Sequence, residues 1–280
     1  MLWKRVENLG SAILPWLVGP AMVAALYLIF MVVPTERDQG IVQRIFYVHV
    51  PSAWTAFFGF FVVCGASLLF LWRGRADWDR IAKASAEVGM VFCTLVLLTG
   101  PMWARPIWGA WWTWDPRLTM TIILWTIYAS YLLLRAYGSD EDQIARYAAV
   151  LGIVGAIDIP LIVVSVRLWR GIHPAVMMSR DPQGGLRDPS MRLTLLVSAL
   201  AFLLTYAWLL LVRLRSPEKG APMPRKQSAR NFSMLPARSP RRWSTAITTP
   251  PGPLLSLTLR PPRSPPRTAI RRKYRSVRRE

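Results

Sequence analysis

The sequence predicts an all-α polytopic membrane protein with six transmembrane helices and a tryptophan-rich external loop. Hydrophobic residues make up 53% of the 280 residues, and six separate apolar segments each approach the roughly 20 residues that a helix needs to cross a bilayer. The net charge of +20 is concentrated outside these segments, because Arg213–Glu280 holds 18 of the 35 Lys and Arg but 2 of the 15 Asp and Glu. The chain therefore divides into an apolar body and a basic tail.

The body and the tail are expected to be separate units. The predicted spans are residues 14–33, 52–72, 81–100, 119–137, 147–166 and 193–214, which together define a membrane domain over 1–215. Residues 216–280 are rich in Pro, Arg and Ser and contain no apolar period long enough to form a core. We expect this tail to be disordered. We also expect that the membrane domain functions without it. Charge confined to such an extension gives no reason to expect a nucleic-acid partner; the predicted environment of the body is a lipid bilayer.

Three long connections are expected on one face of the membrane. They are predicted at 34–51, 101–118 and 167–192, and with six spans they alternate with the shorter turns. Basic residues at the termini and in the shorter turns, together with the basic tail, favour cytoplasmic termini. The three long loops are therefore expected on the outer side.

The second long connection contains an unusual concentration of tryptophan. It reads W-G-A-W-W-T-W-D-P-R-L-T over residues 108–119, and with Trp103 it places five tryptophans within twelve residues. Four positions are spaced at i, i+3, i+4 and i+7: Trp108, Trp111, Trp112 and Asp115. A short helix there would gather them on one face, as a platform for a flat, largely apolar ligand. The alternative is an aromatic belt that anchors the spans at headgroup depth.

Three acidic residues have both a structural and a functional interpretation. Asp115 followed by Pro116 is a common way to begin a helix, whatever else the aspartate does. Glu87 and Asp158 fall within predicted spans three and five, where an ionisable side chain by default indicates function. The structural alternative for both is a hydrogen bond between helices.

The chain has two histidines, one in each of the other two long loops. His49 lies in Y-V-H-V-P, just before Pro51, which is expected to open span two, and His173 lies in S-V-R-L-W-R-G-I-H-P. A single histidine near a helix end is usually an interfacial polar residue. Two on the same face, flanking a tryptophan-rich loop, favour a pair, and two neutral imidazoles can supply both axial positions of a haem iron.

The arginines and cysteines of the chain are weaker indications of function than the histidines and tryptophans. Four arginines lie close to it: Arg105, Arg117, Arg167 and Arg170. Guanidinium groups pair with carboxylates in bidentate geometry, which would suit haem propionates, but most outer loops contain some arginines. The two cysteines form no C-x-x-C pattern, so thiol redox chemistry and covalent haem attachment are not expected.

These features together resemble the haem exporter protein C (CcmC) branch of the WWD-domain haem-handling family. The resemblance covers residues 1–215 and rests on six spans, H-V-P before span two, W-G-x-W-W-x-W-D-x-R-L-T, and S-V-x-x-W-x-x-x-H after span five. It implies that His49 and His173 are axial ligands of haem b (iron protoporphyrin IX). It also implies a platform for the haem edge: Trp103, Trp108, Trp111, Trp112, Trp114 and Asp115. Arg117, within the same motif, is a further candidate haem contact.

The resemblance implies haem delivery in cytochrome c maturation rather than catalysis. Such a subunit of the bacterial inner membrane presents haem on the periplasmic side and loads it onto a periplasmic haem chaperone (CcmE-like). The other implied partners are ABC transporter subunits (CcmA-like and CcmB-like) and a small membrane subunit (CcmD-like).

A haem lyase of the same WWD family is an alternative function, disfavoured because such lyases usually have more histidines than the two of this chain. A solute permease subunit is another, disfavoured because no clear internal repeat is present.

Overall fold

A computed structural model describes residues 2–138, 140–169, 173, 186 and 188–216 of the chain. All of them belong to one compact unit, Met1–Ala221. Apart from Ser216, the predicted tail 216–280 lies outside the described residues.

Six long helices make up the described structure. They are α1 (Leu2–Tyr27), α2 (Phe46–Arg73), α3 (Ala76–Trp108), α4 (Pro116–Tyr137), α5 (Glu141–Leu168) and α6 (Pro189–Arg215). A π-helical turn, Leu28–Val32, extends α1, and a 3₁₀ turn, Ile41–Ile45, leads into α2. Each helix contains an apolar stretch long enough to cross a membrane. The predicted all-α fold with six spans is therefore confirmed.

The start of α2 differs from the prediction. The helix begins at Phe46 rather than at residue 52, so Pro51 lies inside it and His49 is helical instead of lying in a loop. Pro51 cannot donate a backbone hydrogen bond to the Tyr47 carbonyl. This first turn is nevertheless well packed, because Tyr47 is fully buried in a cluster with side chains from the α1 extension and from α6.

The end of α3 also differs from the prediction. The helix continues through Pro101 and Pro106 to Trp108, whereas span three was predicted to end at residue 100. Each proline removes one backbone hydrogen bond, a loss that membrane helices tolerate when neighbouring helices compensate. Gly109, at φ 76°, ends the helix in a left-handed conformation that glycine adopts without strain. Trp103 consequently lies on a helix and not in a loop.

The core of the bundle is centred on α2, which packs against α3, α5 and α6. Phe60 of α2 stacks on Tyr128 of α4 with their ring centroids 3.7 Å apart. The Tyr128 hydroxyl donates to the Gly152 carbonyl of α5 at 2.9 Å. Cys93 is buried in the same core, and both cysteines are free thiols. These contacts join α2, α4 and α5.

The two acidic residues predicted within spans behave differently. Glu87 of α3 forms an ion pair with Arg213 of α6, in which Arg213 Nη2 donates to Oε1 at 2.9 Å and Nε contacts Oε2. For Glu87 the structural interpretation is therefore the one that the contacts support. Asp158 of α5 is half-buried, and its Oδ2 has no hydrogen-bond partner among the described residues. Both interpretations of Asp158 stay open.

Candidate functional site

A cavity of about 250 Å³ lies at the end of the bundle where the α1–α2, α3–α4 and α5–α6 connections meet. Four helices and three connections contribute to its wall. The described lining residues are Gln39, Ile45, Phe46, His49, Val50, Ala53, Trp54, Ala56, Phe57, Cys93, Val96, Leu97, Gly100, Pro101, Trp103, Trp108, Trp112, Arg117, Leu118, Thr121, Ile162, Val163 and His173. Because most of these side chains are aliphatic or aromatic, the cavity suits a ligand with a large apolar surface.

Both histidines line this cavity, although they are more than a hundred positions apart in the sequence. His49 projects from the first turn of α2 and is half-buried. His173 belongs to the α5–α6 connection, and its ring stands edge-on to Trp108 with the ring centroids 6.2 Å apart. The structure thus brings together the two imidazoles that the sequence analysis paired.

The His49 ring is held against α3. Its Nδ1 lies 2.9 Å from Thr99 Oγ1, and the Thr99 hydroxyl donates to the Leu95 carbonyl at 2.7 Å. Gly100 faces the same ring, because a Cβ built on Gly100 would lie 3.5 Å from His49 Cε1. One edge of the imidazole is therefore in contact with α3.

The tryptophans fall into two groups. Trp103, Trp108 and Trp112 line the cavity, whereas Trp111 and Trp114 are 60% and 76% exposed and are not among its described lining residues. From the sequence, all five were predicted to form one platform. The structure places three of them at the cavity and two on the surface beside it.

The tryptophan-rich loop does not contain the short helix that would gather its tryptophans on one face. Residues 109–115 are not helical. Gly109 ends α3 and Asp115 caps α4, so too few residues stand between the two caps to form another helix. Trp108 and Trp112 reach the cavity from a helix end and from an irregular segment, and not from adjacent turns of one helix.

Trp103 connects the first long loop to this wall. Its indole Nε1 donates to Gln39 Oε1 at 3.0 Å, and its ring stands edge-on to Trp108 with centroids 5.0 Å apart. Gln39 also lines the cavity. Gln39 was not predictable from the sequence, because a single glutamine in a loop belongs to no recognisable motif.

Asp115 and Arg117 have distinct positions at the start of α4. Asp115 is buried and is the N-cap, with its side chain accepting the Arg117 N–H at 2.9 Å and with Pro116 at the first helical position. The predicted capping role is confirmed. Asp115 is not among the described lining residues, whereas the Arg117 side chain lines the cavity. The cap therefore orients the turn that carries Arg117.

Arg105, the second candidate arginine whose side chain is described, is not among the described lining residues of the cavity. Arg105 is exposed and donates to the Gly109 carbonyl at the end of α3. The side chain of Arg167 and the whole of Arg170 lie outside the described part of the chain. Of the two candidate arginines whose side chains are described, Arg117 lines the cavity and Arg105 does not.

The wall supplied by α2 was missed by the sequence analysis because that helix was predicted to start too late. Ala53, Ala56 and Phe57 follow His49 at four, seven and eight residues, and all line the cavity. This spacing describes one helical face. A helix started at Phe46 would have revealed it, but the proline at position 51 argued against that start.

Comparisons with known proteins show the family of this chain. The family model described as "Heme exporter protein C" matches residues 3–223. The chain belongs to the haem exporter protein C family. It is 38% identical over 216 residues to "Heme exporter protein C" of Bradyrhizobium diazoefficiens, covering 76% of this chain and 81% of that protein. It is 33% identical over 233 residues to "Heme exporter protein C" of Escherichia coli K12, covering 77% of this chain and 91% of that protein.

A plant relative links the same sequence to cytochrome c biogenesis. The chain is 35% identical over 156 residues to a protein of Marchantia polymorpha named for cytochrome c biosynthesis as a ccmC-like mitochondrial protein, covering 56% of this chain and 66% of that protein. The family resemblance that the histidine and tryptophan motifs indicated is therefore confirmed. Haem handling for cytochrome c maturation in a multi-pass membrane protein follows from this membership.

Proposed function

We propose that this protein holds haem b at the periplasmic face of the bacterial inner membrane and passes it to a periplasmic haem chaperone. The observation that carries the proposal is the convergence of His49 and His173, the two histidines of the chain, on one apolar cavity. Neutral imidazole is a common iron ligand, and two imidazoles supply both axial positions of a haem. In this proposal haem is the cargo of the protein.

The apolar wall suits the porphyrin ring. Trp103, Trp108 and Trp112 present three indoles to the cavity, and aromatic rings contribute about 0.5–1.5 kcal/mol per favourable pair beyond the burial of their surface. The aliphatic and aromatic side chains of α2 and α3 complete the wall. We assign the haem platform to these three tryptophans and place Trp111 and Trp114 outside it.

Two lining residues, Arg117 and Trp112, carry hydrogen-bond donors of the kind that bind carboxylates such as the haem propionates. Arg117 lines the cavity, and a guanidinium group binds a carboxylate with two parallel hydrogen bonds. The Trp112 Nε1 is buried and has no acceptor among the described residues. Buried N–H groups are rarely left without a partner, so a propionate oxygen is a suitable acceptor for it. Asp115 contributes indirectly, by capping the turn that carries Arg117.

The proposed transfer needs no acid, base or nucleophile from this chain, and we infer a delivery subunit that is not an enzyme. Its proposed partners are a CcmE-like chaperone, CcmA-like and CcmB-like ABC transporter subunits and a CcmD-like membrane subunit. The names of the relatives support this setting, since they are haem exporter proteins and a cytochrome c biosynthesis protein. No contact in the described structure favours the haem lyase or the permease.

Chaperone loading tests the proposal directly. In cells that lack their own copy of this subunit, the chaperone and transporter partners are expressed with or without the present chain. The chaperone is then purified and its haem per protein is measured. We expect haem-loaded chaperone to accumulate when the chain is present. Equal loading in its absence would overturn the delivery role.

Loss of the ion pair between α3 and α6 is expected to affect stability and not the site. Glu87→Ala removes the carboxylate that Arg213 contacts, and breaking such a charged hydrogen bond costs about 1–3 kcal/mol. We expect a lower melting temperature with unchanged haem per folded protein. Glu141→Ala, at an exposed position in the first turn of α5, is the control. A Glu87→Ala variant that melts normally but contains no haem would show a functional role for Glu87.

A further inference from the structure

We infer that Thr99 is a positioning residue for His49: the Thr99 hydroxyl accepts the Nδ1–H of the imidazole, fixes the ring tautomer and leaves the Nε2 lone pair for iron. The functional consequence rests on the haem ligation proposed above. The hydrogen bond itself belongs to the protein without haem, so the two can be tested separately.

The direction of this hydrogen bond follows from the proton that Thr99 carries. A hydroxyl has one hydrogen to donate and two lone pairs that accept. Thr99 Oγ1 donates to the Leu95 carbonyl at 2.7 Å, so its contact with His49 Nδ1 at 2.9 Å is one in which the oxygen accepts. The reverse arrangement would place an Nε2–H against a largely apolar wall, where an unpaired donor is costly.

The same arrangement occurs five residues earlier on α3, where its direction is unambiguous. Thr94 Oγ1 donates to the Met90 carbonyl at 2.8 Å and receives the Trp125 Nε1–H at 3.0 Å. An indole nitrogen can only donate, so Thr94 must be the acceptor. A threonine hydroxyl of α3 that is bonded to its own helix therefore serves as the acceptor for a ring N–H from another helix.

The position of the ring identifies the nitrogen that remains for iron. Thr99 contacts Nδ1, and a Cβ built on Gly100 would lie 3.5 Å from Cε1. The Nδ1–Cε1 edge of His49 thus lies on α3 while the residue lines the cavity. Nε2 is the nitrogen that this contact leaves available.

The hydrogen bond has a consequence for ligand strength as well as for orientation. A histidine ligand that donates its second N–H is held in one orientation and becomes a stronger electron donor, and loss of such a partner typically lowers metal affinity about 10–100-fold. A stronger donor favours ferric over ferrous iron. Removal of the Thr99 hydroxyl is therefore expected to weaken haem binding and to move the reduction potential to a more positive value.

The test begins with the haem-free protein. The full chain is labelled with ¹⁵N-histidine, purified in detergent through a tag without histidine, and studied by NMR at alkaline pH. Because the chain has two histidines, His173→Gln assigns the His49 signals. We expect a protonated Nδ1 and an unprotonated Nε2 in the wild type and in Thr99→Ser, and a mixture of tautomers in Thr99→Val and Thr99→Ala. The control is Thr205→Val on α6, where the lost hydroxyl donates to the Ala201 carbonyl.

Haem titration and potentiometry of the same set complete the test. We expect Thr99→Val and Thr99→Ala to bind haem about 10–100-fold more weakly with a more positive potential, while Thr99→Ser and Thr205→Val match the wild type. A wild-type His49 protonated on Nε2, or hydroxyl-free variants with unchanged tautomer and affinity, would overturn the inference. If the tautomer responds as expected but no form binds haem, the Thr99 assignment stands and the proposed haem function fails.

Discussion

Replacing both His49 and His173 with alanine is expected to abolish haem binding. Each single replacement should leave a weakened, five-coordinate complex, because one axial imidazole remains. The expectation follows from the position of both side chains at one cavity and from the absence of a third histidine in the chain. The measurement is haem per purified protein together with the optical spectrum of each variant.

Loss of a ligand must be distinguished from loss of the fold. Exogenous imidazole should restore a six-coordinate spectrum to His49→Gly and to His173→Gly, since it can enter the space that each ring leaves. An unfolded variant would not be rescued in this way. A double alanine variant that keeps the normal low-spin spectrum would contradict the ligand assignment.

Replacing Trp112 with alanine is expected to have the next largest effect. The change removes one indole from the cavity wall and a buried N–H donor. A stacking contact and a hydrogen bond are each worth about 1 kcal/mol, so the Kd for haem should rise about 30-fold. Trp112→Phe keeps the aromatic ring and loses the donor, so its Kd should lie between the two. Haem titration of the purified variants gives these values.

Trp111 provides the matched control for this experiment. It adjoins Trp112 in the sequence but is 60% exposed and lies outside the described cavity wall, so Trp111→Ala should change the Kd by less than about 2-fold. If Trp111→Ala and Trp112→Ala weakened haem binding equally, both tryptophans would belong to one platform. Failure of Trp112→Ala to insert into the membrane would instead support the aromatic belt.

The number of spans was predictable because a bilayer imposes it. Backbone groups in lipid must be paired within a helix, so each span has to appear as a long apolar segment. The helix ends were less predictable at Pro51, Pro101 and Pro106. A proline usually marks the end of a helix. Here α2 continues through Pro51, beside the buried Tyr47, and α3 continues through Pro101 and Pro106.

The site was predictable to the extent that residue type determines its chemistry. Two histidines and a concentration of tryptophan were visible in the sequence, and the structure places His49, His173, Trp103, Trp108 and Trp112 at one cavity. The separation of Trp112 from Trp111 was not predictable, because it depends on an irregular segment whose side-chain directions follow no period.

Contacts between helices could not be predicted from the sequence either. Thr99 is one of several threonines on apolar helices, and its proximity to His49 depends on how α2 packs against α3. Gln39 meets Trp103 only because the first loop folds over the end of α3. Neither residue has a local pattern that distinguishes it from a residue exposed to lipid or water.

Low-temperature electron paramagnetic resonance of the oxidised protein, purified from cells that express it with its partners, tests whether His49 and His173 both bind haem iron. The signal depends on the axial ligands of ferric haem, so it reports on the proposed coordination itself. We expect a low-spin ferric signal of bis-imidazole type that His173→Ala converts to another form. A wild-type protein without haem, or one with a high-spin signal that is unchanged in both His49→Ala and His173→Ala, would contradict it.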